Sequence, residues 1–306
     1  MAYMTWFERR VISRLQVRVG PDRVGVAGLL QPLADAVKLF FKEDIRPARA
    51  DQILFPLAPA ISLFAALAAF AVIPIGPTVK IAGATMPIGI ARLNVGLLYL
   101  VGVSSLGVYG LILGGWSSGS KYSLIGGLRA AAQVVSYELI LGMALVTIAI
   151  ISGSLSLDAI VGSQAGFLPN VIRQPLAFIL YLIAAVAETN RAPFDLPEAD
   201  TELVAGYHTE YGGMRFAMFF IAEYVNVITV SALAATMFFS GWAGPFLPGP
   251  IWLLIKMVFF LFLFVWLRAT LPRLRYDQLM RLSWSVLLPL SLINLLVTAA
   301  VVAAIG

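Results

Sequence analysis

The sequence predicts an all-α integral membrane protein, and three observations carry that reading. Of 306 residues, 60% are apolar and 12% charged, and the mean hydropathy is +0.91. A soluble fold of that composition would have too little polar surface to cover itself. The apolar residues gather in runs of about 20, the length that crosses a hydrocarbon core about 30 Å thick. These runs are continuous and lack the period-two alternation of a membrane barrel, so strands are not expected.

The first fifty residues are organised differently from the rest. Arg18-Val-Gly-Pro-Asp-Arg-Val-Gly25 has the Gly-Pro and Asp chemistry of a turn. Residues 29–43 read as an amphipathic helix, with Leu29, Leu33, Val37, Phe40 and Phe41 on one face and Gln31, Asp35, Lys38 and Lys42 elsewhere. Pro32 suits its first turn. The segment is too short to span and is expected to lie in the membrane interface with its lysines toward headgroups. The alternative is a helix packed in a core. About seven spans follow, at 52–74, 93–115, 128–153, 170–187, 216–241, 251–269 and 284–305. Gly102, Gly107 and Gly110 are expected at close helix contacts.

Lys and Arg set the orientation. Arg9, Arg10, Arg14, Arg18, Arg23, Lys38, Lys42, Arg46 and Arg49 precede the first span. Lys121, Arg129, Arg191, Arg215, Arg268, Arg273, Arg275 and Arg281 border later connections on the same side, against Lys80, Arg92 and Arg173 on the other. The basic side is therefore expected to be cytoplasmic. The net charge of +5 follows from this topology and gives no reason to expect nucleic acid.

On that side lies a polar island, Glu188 to Tyr211. Its carboxylates are Glu188, Asp195, Glu198, Asp200, Glu202 and Glu210, set against one cation, Arg191. So much like charge at a membrane border pushes some carboxyl pKa values upward. A membrane protein that holds it is expected to move protons or bind a polar headgroup; the bland alternative is a solvated acidic loop. Asp195, Glu198 and Glu202 would line one face if the loop is helical. Three charges fall inside spans: Glu138, Glu223 and Lys256. Each costs roughly 2.5–3.5 kcal/mol on insertion scales, so each is expected to face the bundle interior, either as a Glu–Lys256 pair or as part of a proton relay.

Absent residue types narrow the chemistry. There is no cysteine, so no disulfide, iron–sulfur ligand set or thiol chemistry is available to this chain. One histidine, His208, cannot build a metal site alone. No glycine-rich phosphate loop follows a strand. Catalytic residues and metal ligands are not expected here, and the chain cannot carry electrons except as part of an assembly.

The island resembles the signature of the quinone-site membrane subunit of bacterial NADH:quinone oxidoreductase, respiratory complex I. Glu8-Arg-Arg10, Gln16 to Gly25, Leu29 to Lys38 and Lys42-Glu-Asp44 look like that family's N-terminal block. Trp266 to Met280 looks like its final cytoplasmic loop. The resemblance runs in order over essentially the whole chain. A related component of membrane-bound hydrogenases is the nearest alternative, but Asn190-Arg-Ala-Pro-Phe-Asp195 favours complex I. A free-standing ion-coupled transporter would predict internal repeats and broken helices at the midplane, which the sequence lacks.

The resemblance implies a multi-pass subunit of the bacterial cell (inner) membrane, one membrane domain over 1–306. Its parts would be a cytoplasmic-side turn and amphipathic helix (1–51), helices (52–187), an acidic cytoplasmic loop (188–215) and helices again (216–306). It implies partners in both arms of the complex, with FMN, iron–sulfur clusters and NADH in partner subunits, and ubiquinone or another quinone as substrate. Glu8, Arg9, Arg18, Asp35, Arg191, Phe194 and Asp195 would belong to the quinone tunnel or its junction with the peripheral arm. Glu138, Glu188, Glu198, Asp200, Glu202 and Glu223 would lie on the proton path. The family begins with an eighth transmembrane helix, of which only residues 1–7 are matched; a misassigned start is the expected reason. Asp200 stands where Glu is commoner, His208 for a usual Asn, and Ser285 for a usual Lys.

Overall fold

The computed structural model describes residues 2–81, 84–164, 168–195 and 205–305. Helix α1 (Ala2–Leu15) leads through a turn and a single 3-10 turn at Val26–Gly28 to α2 (Gln31–Phe41). There follow α3 (Leu54–Phe70), a hairpin of β1 (Thr78–Ile81) and β2 (Ala84–Pro87), α4 (Gly96–Ser117) and α5 (Lys121–Ser152). The short helices α6 (Leu157–Ser163) and α7 (Asn170–Arg173) precede α8 (Pro175–Glu188). The chain ends with α9 (Gly213–Phe238), α10 (Gly249–Thr270) and α11 (Tyr276–Ile305), the last widening to a π-helix at Leu282–Leu287.

Five of these helices, α4, α5, α9, α10 and α11, are long and apolar enough to cross a membrane. Helices α3 and α8 are apolar but shorter, at 17 and 14 residues. Every span expected from the sequence thus falls on an apolar helix, though two are cut short for visible reasons. Gln174 precedes a proline, which drives it out of the helical region (φ −137°, ψ 65°) and splits the run 170–187 into α7 and α8. Helix α3 runs out before Pro74 and Pro77.

The expectation of no strands is corrected by the hairpin, which pairs antiparallel with Thr78 opposite Pro87 and Ile81 opposite Ala84. Its four-residue strands are too short to register against runs of 20 residues, and they sit between Pro77 and the helix-breaking Gly89. Of the glycines, Gly110 is a true close contact: a Cβ there would meet the Ser62 hydroxyl and the Ala58 carbonyl of α3. Gly102 faces open space instead.

Helix α5 is the central post. Tyr137, Ile140, Leu145 and Ile148 are wholly buried, in one cluster with Leu180, Tyr181 and Ala184 of α8 and Phe238 of α9. Helix α2 is the opposite case. None of its residues is buried, and Leu33, Val37, Phe40 and Phe41 are exposed, as an interfacial helix requires. The reading of α2 as a core helix is excluded.

The pairing of Glu138 or Glu223 with Lys256 is also corrected. The Lys256 ammonium donates to the carbonyls of Phe239, Gly241 and Ala243 at 2.7, 2.8 and 2.7 Å. These are the C-cap carbonyl of α9 and two carbonyls of the connection that follows it, so the ammonium has its three acceptors in backbone oxygens.

Candidate functional site

Four charged side chains from four distant parts of the chain meet at one point. Helix α1 supplies Glu8, the segment after α8 supplies Arg191, α9 supplies Glu223 and α10 supplies Arg268. The Arg191 guanidinium reaches Glu8 at 3.3 Å through Nη1 and Glu223 at 2.5 Å through Nε, and lies 4.6 Å over the Tyr224 ring. Arg268 donates to the same Glu8 oxygen. Glu8 and Arg191 are only 5% and 8% exposed. Burial alone would depress the Arg191 pKa, but Glu223 and then Glu8 outweigh it and hold it above its ordinary value. Each carboxylate of the cluster has a cation in contact.

Arg191 is aimed by the turn that carries it. The backbone leaves α8 through Thr189, passes the left-handed Asn190 (φ 51°) and closes on itself with Phe194 N donating to Arg191 O at 2.9 Å. Leu274 N donates to Pro193 O at 3.0 Å, tying the turn to the final connection before α11. Phe194 packs on Tyr137 of α5, ring centroids 5.5 Å apart. From below, the amide of Gln133 on α5 donates to Ala187 O at 2.8 Å and Phe194 O at 2.7 Å.

The far end of the polar island is seated as tightly. Gly206 (φ +63°) lies on Gly126 of α5, where a Cβ would come within 2.7 Å of its Cα. Tyr211 stacks on Phe55 at 4.1 Å, and its hydroxyl lies 3.1 Å from that of Ser117. Burial pushes the Tyr211 hydroxyl pKa up.

Two carboxylates lie deeper and have no cation among the described residues. The Ser105 hydroxyl of α4 donates to Glu138. Glu188 has one oxygen, Oε2, buried without a hydrogen-bond partner among the described residues. Glu188 and Glu223 both border a cavity of about 50 Å³ with Ser62, Ser104, Asn190 and Asn226. Its polar lining and size suit a small number of waters.

A far larger cavity, about 610 Å³, opens between α1, α2 and α9. Phe40, Phe41, Phe216 and Phe220 line it, with Arg9 and Asp35 as its charged groups along with Lys38. Arg9 and Asp35 pair at 2.9 Å, and Gln31 donates to the other Asp35 oxygen at 3.1 Å. Consecutive residues of α1 thus serve both sites, Arg9 the cavity and Glu8 the cluster. Helix α9 does the same with Phe216 and Phe220 on the cavity and Glu223 and Tyr224 at the cluster.

The model of the NADH dehydrogenase family matches residues 1–299. The chain belongs to that family. Among its relatives, the H subunit of the NADH-quinone oxidoreductase of Thermomicrobium roseum is 59% identical over 310 residues, covering 98% of this chain and 91% of the relative. Its counterpart in Syntrophotalea carbinolica is 56% identical over 299 residues, covering 98% and 90%. One from Geobacter sulfurreducens is 53% identical over 314 residues, covering 99% and 90%. The resemblance drawn from the motifs therefore holds across nearly the whole chain.

For this family member the structure gathers some of the expected residues and not others. Glu8, Arg191 and Glu223 form one cluster; Arg9 and Asp35 face the large cavity; Phe194 and Asp195 lie in the Arg191 turn. Arg18 is exposed beyond α1 and lines neither of these two cavities. Glu198, Asp200 and Glu202 lie outside the described residues, as does their shared helical face. Arg268 and Gln133 were not singled out as site residues by sequence reasoning. An isolated glutamine in the apolar run Ala130-Ala-Ala-Gln133-Val-Val was the available signal, since an amide buried among apolar helices needs a partner.

Proposed function

We propose that this chain is the membrane subunit of a proton-pumping NADH:quinone oxidoreductase that forms the quinone-binding tunnel and links quinone reduction to proton translocation. The observation that carries the reading is the large aromatic cavity sharing α1 and α9 with the buried charge cluster. A quinone is a flat ring with a greasy tail. An apolar cleft of several hundred Å³ with a few convergent polar groups suits such a ligand. Its position beside α2, whose apolar face this chain leaves uncovered, gives a lipid-soluble substrate a way in from the bilayer.

In this reading Glu8, Arg9, Arg18, Asp35, Arg191, Phe194 and Asp195 border the tunnel and its junction with the peripheral arm. Glu138, Glu188, Glu198, Asp200, Glu202 and Glu223 form the proton path. Reduction of a quinone to its quinol takes up two electrons and two protons, and the chain supplies no redox centre. Electrons come from partner subunits that carry FMN and iron–sulfur clusters and take them from NADH. Taking up protons in a site of low dielectric changes the charge felt by neighbouring carboxylates, and their coupled titration passes the change inward. Glu188, with no cation to hold it, is the group best placed to respond.

The reading also takes seven helices of this chain, α3, α4, α5, α8, α9, α10 and α11, as crossing the inner membrane of a bacterium. The domain is single, with the basic connections and the acidic island on the cytoplasmic side and the C-terminus outside. The test is native purification of the tagged chain from its own membranes, with mass spectrometry of what accompanies it. Flavin and iron–sulfur subunits together with inhibitor-sensitive quinone reductase activity are expected. A nickel-containing hydrogenase partner, or a chain that purifies alone and functional, would overturn the assignment.

A further inference from the structure

We propose that Gln133 is a positioning residue for quinone reduction, clasping both ends of the 187–194 turn so that Arg191 stays between Glu8 and Glu223. The inference rests on the reading of this site as the quinone-linked one. Gln133 is wholly buried in the middle of α5. Its amide nitrogen carries two hydrogens. Two backbone carbonyls lie in reach, Ala187 O at 2.8 Å and Phe194 O at 2.7 Å, with Asn190 Oδ1 a more distant third at 3.2 Å. Ala187 and Phe194 bracket Arg191 in the chain, so one nitrogen fastens the start and the end of the loop whose middle reaches out to the cluster.

The clasp is retained at a cost. Gln133 Oε1 is buried with no hydrogen-bond partner among the described residues, so it gives up its bonds to water without replacing them. An apolar side chain of similar volume would avoid that loss but take from Phe194 O its donor and leave Ala187 O with backbone donors such as Asn190 N. The turn's other ties include the backbone bonds Asn190 N to Ala187 O at 3.3 Å, Phe194 N to Arg191 O at 2.9 Å and Leu274 N to Pro193 O at 3.0 Å, with Phe194 packed on Tyr137 of α5. Gln133 joins the end of α8 and Phe194 to α5 through one amide nitrogen. Glu188, Asn190 and Arg191 all sit inside the stretch it closes. A shift of about 1 Å at a reacting centre is enough to lower a rate by two orders of magnitude.

The assembled complex carrying Gln133→Glu or Gln133→Leu tests this. The glutamate keeps the volume. Protonated, it donates one hydrogen bond to the turn; ionised, it donates none and faces the same carbonyls. On its own helix Arg129 and Tyr137 stand one turn to either side of it and Glu138 follows Tyr137; the turn carries Glu188, Arg191 and Asp195. Quinone reductase activity of Gln133→Glu, taken as a ratio to the unaltered complex at each pH, is expected near one at the acid end and to fall reversibly as pH rises. For Gln133→Leu, kcat/KM for a short-chain quinone is expected to drop about tenfold or more at every pH. Transfer to a water-soluble acceptor upstream of the quinone should be unchanged in both.

An unaltered pH profile and kcat/KM in an assembled Gln133→Glu complex would overturn the proposal. Failure of both variants to assemble while Arg191→Lys assembles would also overturn it, since Gln133 would then serve assembly alone. Arg191→Lys separates the two readings. If it impairs quinone reduction and the Gln133 variants do not, only the clasp is wrong. If Arg191→Lys changes nothing, the reading of the whole site fails.

Discussion

The Arg191 cluster and the Glu138–Glu188 pair solve the same problem in opposite ways. Both bury carboxylates where water is scarce. At the cluster, Glu8 and Glu223 are met by Arg191 and Arg268, and the Tyr224 ring adds a cation–π contact. Deeper in, Glu138 has a serine hydroxyl and Glu188 an oxygen without a partner among the described residues. The first arrangement ties four chain segments together through ion pairs, whereas the second leaves its carboxylates to neutral neighbours among the described residues. Substitutions should therefore separate the two by what they damage.

The largest effect is expected at Arg191. Arg191→Leu would leave Glu8 with Arg268 alone and strip from Glu223 its contact to Arg191, and breaking a buried pair from one side typically costs about 3–5 kcal/mol. Loss of assembled complex on native gels, or a strongly lowered melting temperature, is the expected outcome. Arg191→Lys should fall between, because an ammonium cannot fork to two carboxylates and stack on Tyr224 at once. A stable, active Arg191→Leu complex would erase the distinction between the two regions.

Glu188→Gln should do the reverse. With no cation to strand, stability is expected not to fall, because a neutral amide costs less to bury than a carboxylate. Proton translocation driven by quinone reduction should fall by about tenfold or more, as expected when a group that moves protons is made inert. The check is proton uptake into vesicles holding the assembled complex, with melting temperature measured alongside. Normal pumping would remove Glu188 from the proton path.

A double-mutant cycle on Glu8→Gln and Arg268→Gln sharpens the comparison from the cluster side. The two touch, so a coupling energy of about 0.5–3 kcal/mol is expected. The same cycle on Glu8 and Glu188 should give additive losses. Coupling between that second pair would mean that the two regions act as one network.

How much of this was legible in the sequence follows from what each feature depends on. The apolar helices were read from run length, since a hydrocarbon core imposes it directly. The amphipathic α2 is legible from its face, and Leu33, Val37, Phe40 and Phe41 are exposed in this structure. The hairpin at Thr78–Pro87 was missed because its strands are shorter than any hydropathy window resolves. Within the site, the titratable residues announced themselves as charges in apolar surroundings, but their partners did not. Glu223 bonds Arg191 rather than Lys256 because α9 turns Glu223 toward α1 and the Arg191 turn, and three backbone carbonyls already hold Lys256. Such pairing is a property of helix packing, and periodicity carries no record of which helix lies opposite.

The smallest effect is expected at Arg9 and Asp35, which pair at 2.9 Å but stand 55% and 33% exposed. Exposed pairs contribute only about 0–1 kcal/mol to stability, so Arg9→Ala should leave assembly and melting unchanged. Yet both residues line the large cavity, and a bound quinone would lose one polar neighbour. A loss of about 1 kcal/mol in binding corresponds to a roughly fivefold rise in KM for a short-chain quinone, with kcat little altered. Asp35→Asn should follow the same pattern, since the residue it frees, Arg9, can turn to water. A fall in kcat with KM unchanged would place this pair with Glu138 and Glu188 instead of the binding cleft. Equal falls in stability and activity would place it with the cluster, and would mean that Glu8 and Arg9, adjacent on α1, serve one site and not two.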